Sequence, residues 1–337
     1  MSEESPSWPW PRTLMIRDIR VDPACILAPM EGVTDLTFRR LVRSIGGCGL
    51  FVTEFISADG LYKQIERAMR MARFDEGERP ISIQIYGRDP HALAEGARMV
   101  EALGADIIDL NMGCPSKKVC AHSGGSALMK EPELARQIVS AIRAATDLPF
   151  TVKMRAGWDS ESRNAADIAW MCQEEGAEMV AVHWRTRKDL YGGDRDLTPI
   201  AAVKDRVSIP VVANGDIVDV ATAVEAFRDT GCDAVMVGRG AVRNPWVFAE
   251  IRAAMNGMPA PIVDDVERER VLLGYFAAIR ESFRTDLGAL GRFKKIARYF
   301  TAGVEGGDVL RQQIFHSQTA EEAIDVVQRF FDGRRAA

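Results

Sequence analysis

Eight short apolar runs, each followed by a helix-like segment, constrain this chain more than any other feature of its sequence. The runs are rich in Val, Ile and other strand-forming residues. In chain order they are ACILAPM (24–30), LFVTEF (50–55), ISIQIYG (81–87), DIIDLNMG (106–113), PFTVKMR (149–155), EMVAVHWR (178–185), PVVANGD (210–216) and AVMVGRG (234–240). Strand and helix alternating in this way predict parallel strands joined by right-handed crossovers. Eight such units in roughly 250 residues have the size of a (β/α)8 TIM barrel, which is the α/β fold that we predict.

The intervening segments support this reading. Apolar residues recur at helical spacing in DPHALAEGARMVEALG (89–104), EPELARQIVSAIRAAT (131–146) and DVATAVEAFRDTG (219–231). A doubly wound open sheet is the alternative arrangement of the same units. No G-x-G-x-x-G follows the first strand, which disfavours that alternative.

The alternation stops after Phe248. The segment AAMNGMPAPIVDD (253–265) contains Gly and Pro, as linkers do. Helical spacing then returns in ERERVLLGYFAAIRESFR (267–284), GRFKKIARYF (291–300) and TAEEAIDVVQRFF (319–331). We predict a barrel domain over residues 1–252 and a small helical bundle over residues 265–337.

The overall charge bears on the kind of partner, and cysteine usage bears on the compartment. The 43 Lys and Arg residues against 48 Asp and Glu residues leave a net charge of −5, which on average disfavours a nucleic-acid partner, although a local basic patch can coexist with it. The first residues lack the apolar stretch of a signal peptide, and no apolar run is long enough to span a bilayer. The six cysteines form no C-x-x-C pair, so we expect free thiols in a cytoplasmic protein without a membrane anchor. Four histidines and no H-E-x-x-H motif predict no metal site.

Polar side chains recur where the predicted strands end. They are Gln84, Asn111, Lys153, His183, Asn214 and Arg239. In barrels the catalytic groups gather at the carboxyl ends of the strands. Contact with solvent explains any one of these residues, but it does not explain Gln84 and Lys153 within runs that are still apolar. The pattern therefore predicts a functional site at this mouth.

The last two strand ends, ANGD (213–216) and GRGA (238–241), indicate a phosphate site. Loops after strands seven and eight of barrels frequently bind phosphate through backbone N–H groups. Gly215 and Gly238 permit close approach of the backbone, and Arg239 adds a cation. Each glycine by itself is equally consistent with a tight turn.

The other strand ends indicate a flat heterocycle attached to that phosphate. The ammonium of Lys153 would stabilise negative charge near a flavin N1, although it could also be a barrel lysine that reaches towards solvent. The amide of Gln84 both donates and accepts, as a pyrimidine edge requires. Ala28, Pro29 and Met30 provide an apolar surface on which a ring can lie.

Cys114 follows the fourth strand in LNMGCPSKKVC (110–120), close to the small-residue segment SGGSALM (123–129). A thiol with a reference pKa of about 8.5 is mostly protonated at neutral pH and can donate a proton. Opposite a hydride donor, it would complete the reduction of a carbon–carbon double bond. We interpret Cys25, Cys48, Cys172 and Cys232 as small buried hydrophobes. The sequence leaves Cys120 undecided.

These residues match a known family. LAPMEGVTD, ISIQIYG, DLNMGCPSKKV, VKMRAG, HWRTR, PVVANGD and DAVMVGRGA, in this order, resemble the bacterial tRNA-dihydrouridine synthases from about residue 24 to 250. The resemblance implies an FMN-dependent barrel with a C-terminal helical domain, which reduces the C5–C6 bond of particular uridines in tRNA with NADPH. Different parts of the sequence resemble different branches of the family. The segments PMEG and TEF resemble one branch, whereas RQQIF resembles the general bacterial B branch.

The resemblance also assigns roles. The residues implied to bind FMN are Ala28, Pro29, Met30, Gln84, Lys153, His183, Asn214, Gly215, Asp216, Gly238 and Arg239. Cys114 matches the proton donor to C5, and Asn111 is implied to help hold the uracil. One position departs from the family, because Trp184 replaces the glycine of H-G-R-T. We expect this bulky ring either to restrict the mouth or to offer a stacking face for a base.

The helix GRFKKIARYF carries the densest basic cluster of the chain. Helical spacing places Lys294, Lys295 and Arg298 broadly on one side. Phe293, Ile296 and Phe300 are expected to face the bundle core. The ordinary interpretation of these residues is a solvated cationic face. We predict instead that they bind the phosphate backbone of tRNA. We also predict that the protein is a monomer. The loops with Lys117–Lys118 and Arg185–Lys188 are the alternative surface.

Three other functions remain alternatives at this point. An FMN-dependent free-pyrimidine oxidoreductase of the dihydroorotate dehydrogenase kind would share the barrel and the thiol chemistry, but it needs no basic appended bundle. A non-redox barrel, such as an aldolase, would share only the phosphate site. An RNA-binding protein without catalysis would not need Cys114.

Overall fold

The computed structural model describes residues 8–116, 119–120, 124–302 and 304–336. Eight parallel strands of this part of the chain form a closed barrel. Two strands precede it, β1 (Leu14–Ile16) and β2 (Ile19–Val21), and the barrel strands are β3 (Cys25–Leu27), β4 (Leu50–Val52), β6 (Ile81–Tyr86), β7 (Ile107–Met112), β8 (Phe150–Arg155), β9 (Met179–His183), β10 (Val211–Asn214) and β11 (Ala234–Val237). The order β4-β3-β11-β10-β9-β8-β7-β6 is closed by pairing of β4 with β6, and the short β5 (Ile56–Ser57) adds to β6. The predicted TIM barrel is therefore confirmed, and the open sheet is excluded.

An N-terminal hairpin covers the end of the barrel opposite its mouth. Strands β1 and β2 pair antiparallel, and the sequence analysis did not predict them. At the hairpin turn, Arg17 forms an ion pair of 2.8 Å with Glu178, which lies just before β9. The Trp8 ring packs edge-on against Phe227, with ring centroids 5.2 Å apart. These contacts lie at the amino ends of the barrel strands, so the hairpin leaves the carboxyl ends free.

Helices surround the barrel where the sequence predicts them. Around it lie α1 (Leu36–Ile45), α2 (Ala58–Tyr62), α3 (Glu66–Met71), α4 (Pro90–Ala102), α5 (Pro132–Ala145), α6 (Ala165–Glu174), α7 (Thr198–Arg206), α8 (Val220–Thr230), α9 (Arg239–Arg243) and α10 (Val247–Met255). Short 3₁₀ turns span Glu76–Glu78 and Gly125–Lys130. Helix α8 shows how its ends are set: the Asp219 side chain accepts from the N–H of Thr222, and Gly231 ends the helix in the left-handed conformation.

Four helices form the C-terminal region: α11 (Asp265–Ser282), α12 (Asp286–Phe300), α13 (Gly307–His316) and α14 (Ala320–Arg335). The sequence analysis missed α13, and the predicted linker is shorter than expected, since α10 extends to Met255 and α11 begins at Asp265. Helix α11 packs on α1, where Phe38 meets Tyr275 edge-on with ring centroids 6.1 Å apart. Within the described residues, no helix has the length and apolarity to cross a membrane.

A buried ion pair supports the loop that follows β3. The side chains of Arg39 in α1 and Glu78 are 1% and 0% exposed, with an N–O distance of 2.6 Å. Arg39 also donates to the carbonyl oxygens of Thr34 and Arg73. The hydroxyl of Thr34 accepts from the N–H of Met30. The ion pair is thus connected through Thr34 to the strand end that carries Ala28, Pro29 and Met30.

Candidate active site

Strand register brings the predicted polar residues into one part of the mouth. Gln84 of β6 lies opposite Asp109 of β7, which lies opposite Thr151 of β8. One layer closer to the mouth, Asn111 lies opposite Lys153. Residues in register on parallel strands point to the same face of a sheet, so these side chains lie side by side inside the barrel. The sequence predicted Gln84, Asn111 and Lys153 here, but not Asp109.

A tight turn after β7 presents Cys114. The side-chain oxygen of Asn111 accepts from the N–H groups of Gly113 and Cys114, at 3.1 and 2.9 Å. The carbonyl oxygen of Cys114 accepts from the N–H and the hydroxyl of Ser126. Burial raises the pKa of the Cys114 thiol above its usual value. The thiol is therefore protonated at neutral pH and is suited to donate a proton.

The other cysteines fall into two groups. Cys25, Cys172 and Cys232 are buried and Cys48 is half-buried, in keeping with their interpretation as small hydrophobes. Burial raises the pKa of Cys172 to about 12 and that of Cys232 to about 11, so these thiols are unreactive. Cys120, which the sequence left undecided, has its sulfur 3.5 Å from the carbonyl oxygen of Cys114. Lys117 and Lys118, the alternative tRNA-binding residues, lie outside the described residues.

Lys153 is a cation at the mouth with no hydrogen-bond or ion-pair partner among the described residues. Burial, together with the nearby Arg155, lowers its pKa to about 8, so most of the population is still charged at neutral pH. Its ammonium makes no hydrogen bond and no ion pair within the described part of the chain. A desolvated charge without a partner costs free energy unless a ligand supplies an acceptor. The position fits the electron-rich edge of a heterocycle.

His183 at the end of β9 is neutral. Burial and the surrounding cations lower its pKa well below the usual value. Its Nδ1 accepts from the N–H of Arg185 at 3.1 Å, which assigns the ring proton to Nε2. His183 can therefore donate one hydrogen bond to a ligand and adds no charge. The amide of Asn214 donates to the carbonyl oxygen of Met236 at 2.7 Å and so joins β10 to β11.

Two arginines hold Asp216 at the phosphate corner. Arg185 contacts one carboxylate oxygen at 2.5 Å and Arg239 contacts the other at 2.8 Å. Burial opposes the ionisation of Asp216, but the two guanidinium groups outweigh it, so the pKa of this carboxyl is lowered. Nη1 of Arg185 is buried and has no hydrogen-bond partner among the described residues. Two cations and an orphaned donor form a site that suits an anion such as phosphate.

Trp184 does not have the role that the sequence suggested. It is only 3% exposed, so it neither restricts the mouth nor offers a stacking face to a base. Its ring fills the space beside Gly215, where an added Cβ would lie 2.5 Å from Trp184 Cδ1. The guanidinium carbon of Arg185 lies 4.0 Å from the Trp184 ring centroid. Trp184 thus leaves no room for a side chain at position 215, and its ring packs against the guanidinium group of Arg185.

The apolar part of the site is formed by the first and last barrel strands. Gly238 lies beside Ala28 and Met30, since a Cβ at position 238 would be 3.7 Å from both side chains. This is ordinary van der Waals contact, so the packing does not require glycine at position 238. Ala28 is buried, whereas Pro29 and Met30 are half-buried. These residues form an apolar surface, and its use by a flat ring stays a prediction.

Besides Asp109, the sequence analysis missed two further residues of the mouth. Arg155, at the end of β8, donates to the carbonyl oxygen of Gly113 at 2.8 Å and to that of Thr186 at 2.7 Å. Burial lowers the pKa of Arg155 to about 10, so it remains a cation beside the Cys114 turn. The Tyr191 ring is 59% exposed, and the guanidinium carbon of Arg239 lies 5.0 Å from its centroid. The available signal was the polar end of VKMRAG.

The basic helix is only partly as predicted. Phe293, Ile296 and Phe300 of α12 are buried, which confirms their core positions. Lys294 is engaged within the protein, because its ammonium donates to the carbonyl oxygen of Ser317 at 2.7 Å. Lys295 and Arg298 are exposed. The predicted three-residue surface therefore reduces to two available cations.

Arg292 of the same helix contacts the barrel rather than solvent. It donates to the carbonyl oxygens of Gly32 and Val33 and pairs with Asp35 at 3.0 Å. These acceptors lie in the loop that follows β3. The C-terminal helices are thereby attached directly to the mouth.

Together, the fold and the site define a TIM-barrel protein whose mouth holds a protonated thiol among buried cations. The model of the family described as "Dihydrouridine synthase (Dus)" matches residues 26–334. This chain belongs to the dihydrouridine synthase family and is an enzyme. The resemblance found in the sequence is confirmed, and the alternatives of an aldolase-like or dihydroorotate dehydrogenase-like barrel are not supported.

Curated relatives cover nearly the whole chain. A probable tRNA-dihydrouridine synthase of Rhodobacter capsulatus is 39% identical over 328 residues, which is 96% of this chain and 100% of that protein. The tRNA-dihydrouridine synthase B of Pseudomonas syringae is 40% identical and covers 91% of this chain and 90% of that protein. A probable tRNA-dihydrouridine synthase of Rickettsia conorii is 44% identical over 71% of this chain and 72% of its own length.

Proposed function

We propose that this enzyme reduces the C5–C6 bond of particular uridines in tRNA to 5,6-dihydrouridine, with FMN as the bound flavin and NADPH as the reductant. The relatives' names supply the substrate class. The observation that carries the reaction is the Cys114 turn, which presents a protonated thiol beside the ammonium of Lys153. The proposal includes a cytoplasmic, monomeric protein with a barrel domain over residues 1–252 and a helical domain over residues 265–337.

The residues at the mouth fit FMN. Arg239 and the orphaned donor of Arg185 suit its phosphate. The Ala28–Met30 surface suits the face of the ring, and Lys153 suits its electron-rich edge. His183 donates a hydrogen bond from Nε2 without adding a charge. Gln84, Asn214, Gly215, Asp216 and Gly238 complete the proposed binding set.

The chain's own contribution to the chemistry is a proton. When bound and reduced, FMN would supply a hydride from N5 for C6 of the uracil, with NADPH as the source of the reducing equivalents. The thiol of Cys114 delivers the proton to C5, and its raised pKa keeps that proton in place until it is needed. Asn111 holds the turn that carries the thiol and is proposed to lie against the uracil. The nearby Arg155 favours the thiolate left behind.

The direct test uses tRNA that lacks modification. We expect the purified protein to be yellow, with flavin absorbance, and to form dihydrouridine in such tRNA when NADPH is supplied. Mapping dihydrouridine in tRNA from cells without the gene would then identify the reduced positions. A colourless protein that cannot be loaded with FMN, or unchanged tRNA in both experiments, would contradict the proposed function.

Removal of either proposed FMN cation should weaken flavin retention. We expect Lys153→Ala and Arg239→Ala each to raise the dissociation constant of FMN roughly tenfold to a hundredfold, since a charge-assisted hydrogen bond contributes about 1.5–3 kcal/mol. The measurement is fluorescence titration of the apoprotein with FMN. Arg228→Ala, an exposed arginine in α8 that pairs with Asp229, is the control. Wild-type affinity in both variants would show that the cofactor lies elsewhere.

The exposed cations of α12 should contribute to tRNA binding. We expect the double variant Lys295→Ala/Arg298→Ala to raise the dissociation constant for tRNA and to flatten its dependence on salt, because fewer counterions are released. Filter binding across a salt series measures both. Arg206→Ala/Arg228→Ala removes the same charge at the opposite end of the barrel and should change neither. An unaltered salt dependence of the tRNA dissociation constant would indicate that the mouth loops bind the tRNA backbone instead. In one of these loops Lys188 pairs with Asp159 at 2.8 Å.

A further inference from the structure

A continuous chain of buried hydrogen bonds runs from β8 to the Cys114 turn. The hydroxyl of Thr151 and the side-chain N–H of Gln84 donate to the two oxygens of Asp109, each at 2.5 Å. The amide N–H of Asn111 donates to the side-chain oxygen of Gln84 at 2.6 Å. The oxygen of Asn111 then accepts from the N–H of Cys114. Thr151, Gln84, Asp109 and Asn111 are all at most 5% exposed.

The carboxylate at one end of this chain determines the direction of every bond in it. An ionised Asp109 only accepts hydrogen bonds, so it forces the NH₂ group of Gln84 towards itself. The oxygen of Gln84 is then left to face Asn111, which must turn its NH₂ group inward. Only the oxygen of Asn111 remains to hold the N–H groups of Gly113 and Cys114. In this orientation of the two amides, each buried polar group of the hydrogen-bond chain has a partner.

Asp109 keeps its charge at neutral pH. Burial raises its pKa to about 6, while the hydrogen bonds from Gln84 and Thr151 and the charge of Lys153 lower it. Above this value the carboxylate is the acceptor that the chain requires. Strand register explains the precision of the arrangement, since Gln84, Asp109 and Thr151 are Cα partners across three adjacent strands.

We propose that Asp109 is a positioning residue that sets the orientation of the Gln84 and Asn111 amides and thereby holds Cys114 in place for proton delivery. Asp109 touches neither the thiol nor the reacting atoms and acts through two intervening side chains. The catalytic meaning of this arrangement rests on the proposed role of Cys114. The arrangement itself can be tested without the reaction.

Two substitutions and their combination test the direction of the chain. Asn111→Asp places a second acceptor-only group beside Gln84, so either orientation of the Gln84 amide creates a repulsive contact with one carboxylate. Asp109→Asn is accommodated without reversal of the chain. The oxygen of the new amide accepts from the NH₂ group of Gln84. The NH₂ group of the new amide donates to the hydroxyl of Thr151, which can accept as well as donate. In the double variant Asp109→Asn/Asn111→Asp the whole chain can reverse, and every group again has a partner.

The measurement is deuterium exchange of the backbone amides in the segment 110–116, on FMN-loaded protein at pH 8 without tRNA or NADPH. We expect Asn111→Asp to exchange about tenfold faster or more than wild type, the effect of an unpaired buried group on local opening. Asp109→Asn should stay within about threefold of wild type, and the double variant should return to that range. If Asn111→Asp is too unstable to purify, recovery of folded protein in the double variant is the corresponding result.

Three outcomes would overturn the proposal. Wild-type exchange in Asn111→Asp would show that bond direction has no effect. Exchange in Asp109→Asn as fast as in Asn111→Asp would show that the charge matters rather than the orientation. If the double variant exchanges its backbone amides no more slowly than Asn111→Asp, Asp109 does not determine the orientation of the two side-chain amides. Since no substrate is present, none of these results depends on whether the enzyme reduces tRNA.

Discussion

Replacing Cys114 by alanine should reduce dihydrouridine formation by about 10²–10⁴-fold, the range expected for loss of a general acid. The thiol is the proposed proton source for C5, and burial raises its pKa, so it holds a proton to donate at neutral pH. FMN content and the oxidation of NADPH without tRNA should stay at wild-type levels, because Cys114 acts only after the hydride donor is formed. The measurement is dihydrouridine formed in unmodified tRNA by the NADPH-reduced enzyme in a single turnover.

Two further variants sharpen this prediction. Cys114→Ser should also be impaired, since a hydroxyl is a weaker acid than a thiol. Cys120→Ala removes the thiol whose sulfur lies 3.5 Å from the Cys114 carbonyl oxygen and serves as the matched control. Dihydrouridine formation by Cys114→Ala at the rate of Cys120→Ala would remove Cys114 from the mechanism.

The second large effect concerns stability. Arg39→Met leaves Glu78 without its ion-pair partner and 0% exposed, and we expect the free energy of unfolding to fall by about 3–5 kcal/mol, as when one partner of a buried pair is removed. It also removes donors to the carbonyl oxygens of Thr34 and Arg73, which loosens the loop that follows β3. Urea titration followed by circular dichroism measures the change.

The neighbouring residue offers a close control. Arg40 pairs with Asp75 at 2.6 Å, but the two side chains are 51% and 41% exposed. Arg40→Met should therefore cost only about 0–1 kcal/mol. Arg39→Met/Glu78→Leu should recover part of the loss, because no unpaired charge remains. Equal destabilisation by Arg39→Met and Arg40→Met would show that burial does not govern this pair.

The barrel was predictable because parallel strands buried on both faces are continuous apolar runs. Each of the eight predicted runs contains a barrel strand, and the ends differ by at most three residues. The hairpin of β1 and β2 was missed because strands of three residues leave no periodic signal. Helix α13 was missed because it starts in a glycine-containing turn at Gly306 and has no side-chain cap.

The site residues were predictable by type and position in the chain, but not by the partners that they acquire. Asn111 and Gln84 were identified as polar strand ends, yet only the register shows that Asp109 joins them. Lys294 and Lys295 are adjacent in sequence, but the carbonyl oxygen of Ser317, just after α13, engages Lys294, whereas Lys295 is exposed. Trp184 sits in a motif at the mouth but packs against Gly215.

The sequence by itself determined the barrel and indicated a candidate functional end with its thiol, because apolar periodicity and strand-end chemistry are local properties of the chain. The tertiary structure decided which charges are paired, which amides are oriented and which cations remain available to a ligand. Those properties depend on contacts between residues far apart in the chain, such as Arg292 with Asp35. Hydrogen bonds and ion pairs act over about 3–4 Å, so a spacing in sequence cannot specify them until the strands are in register.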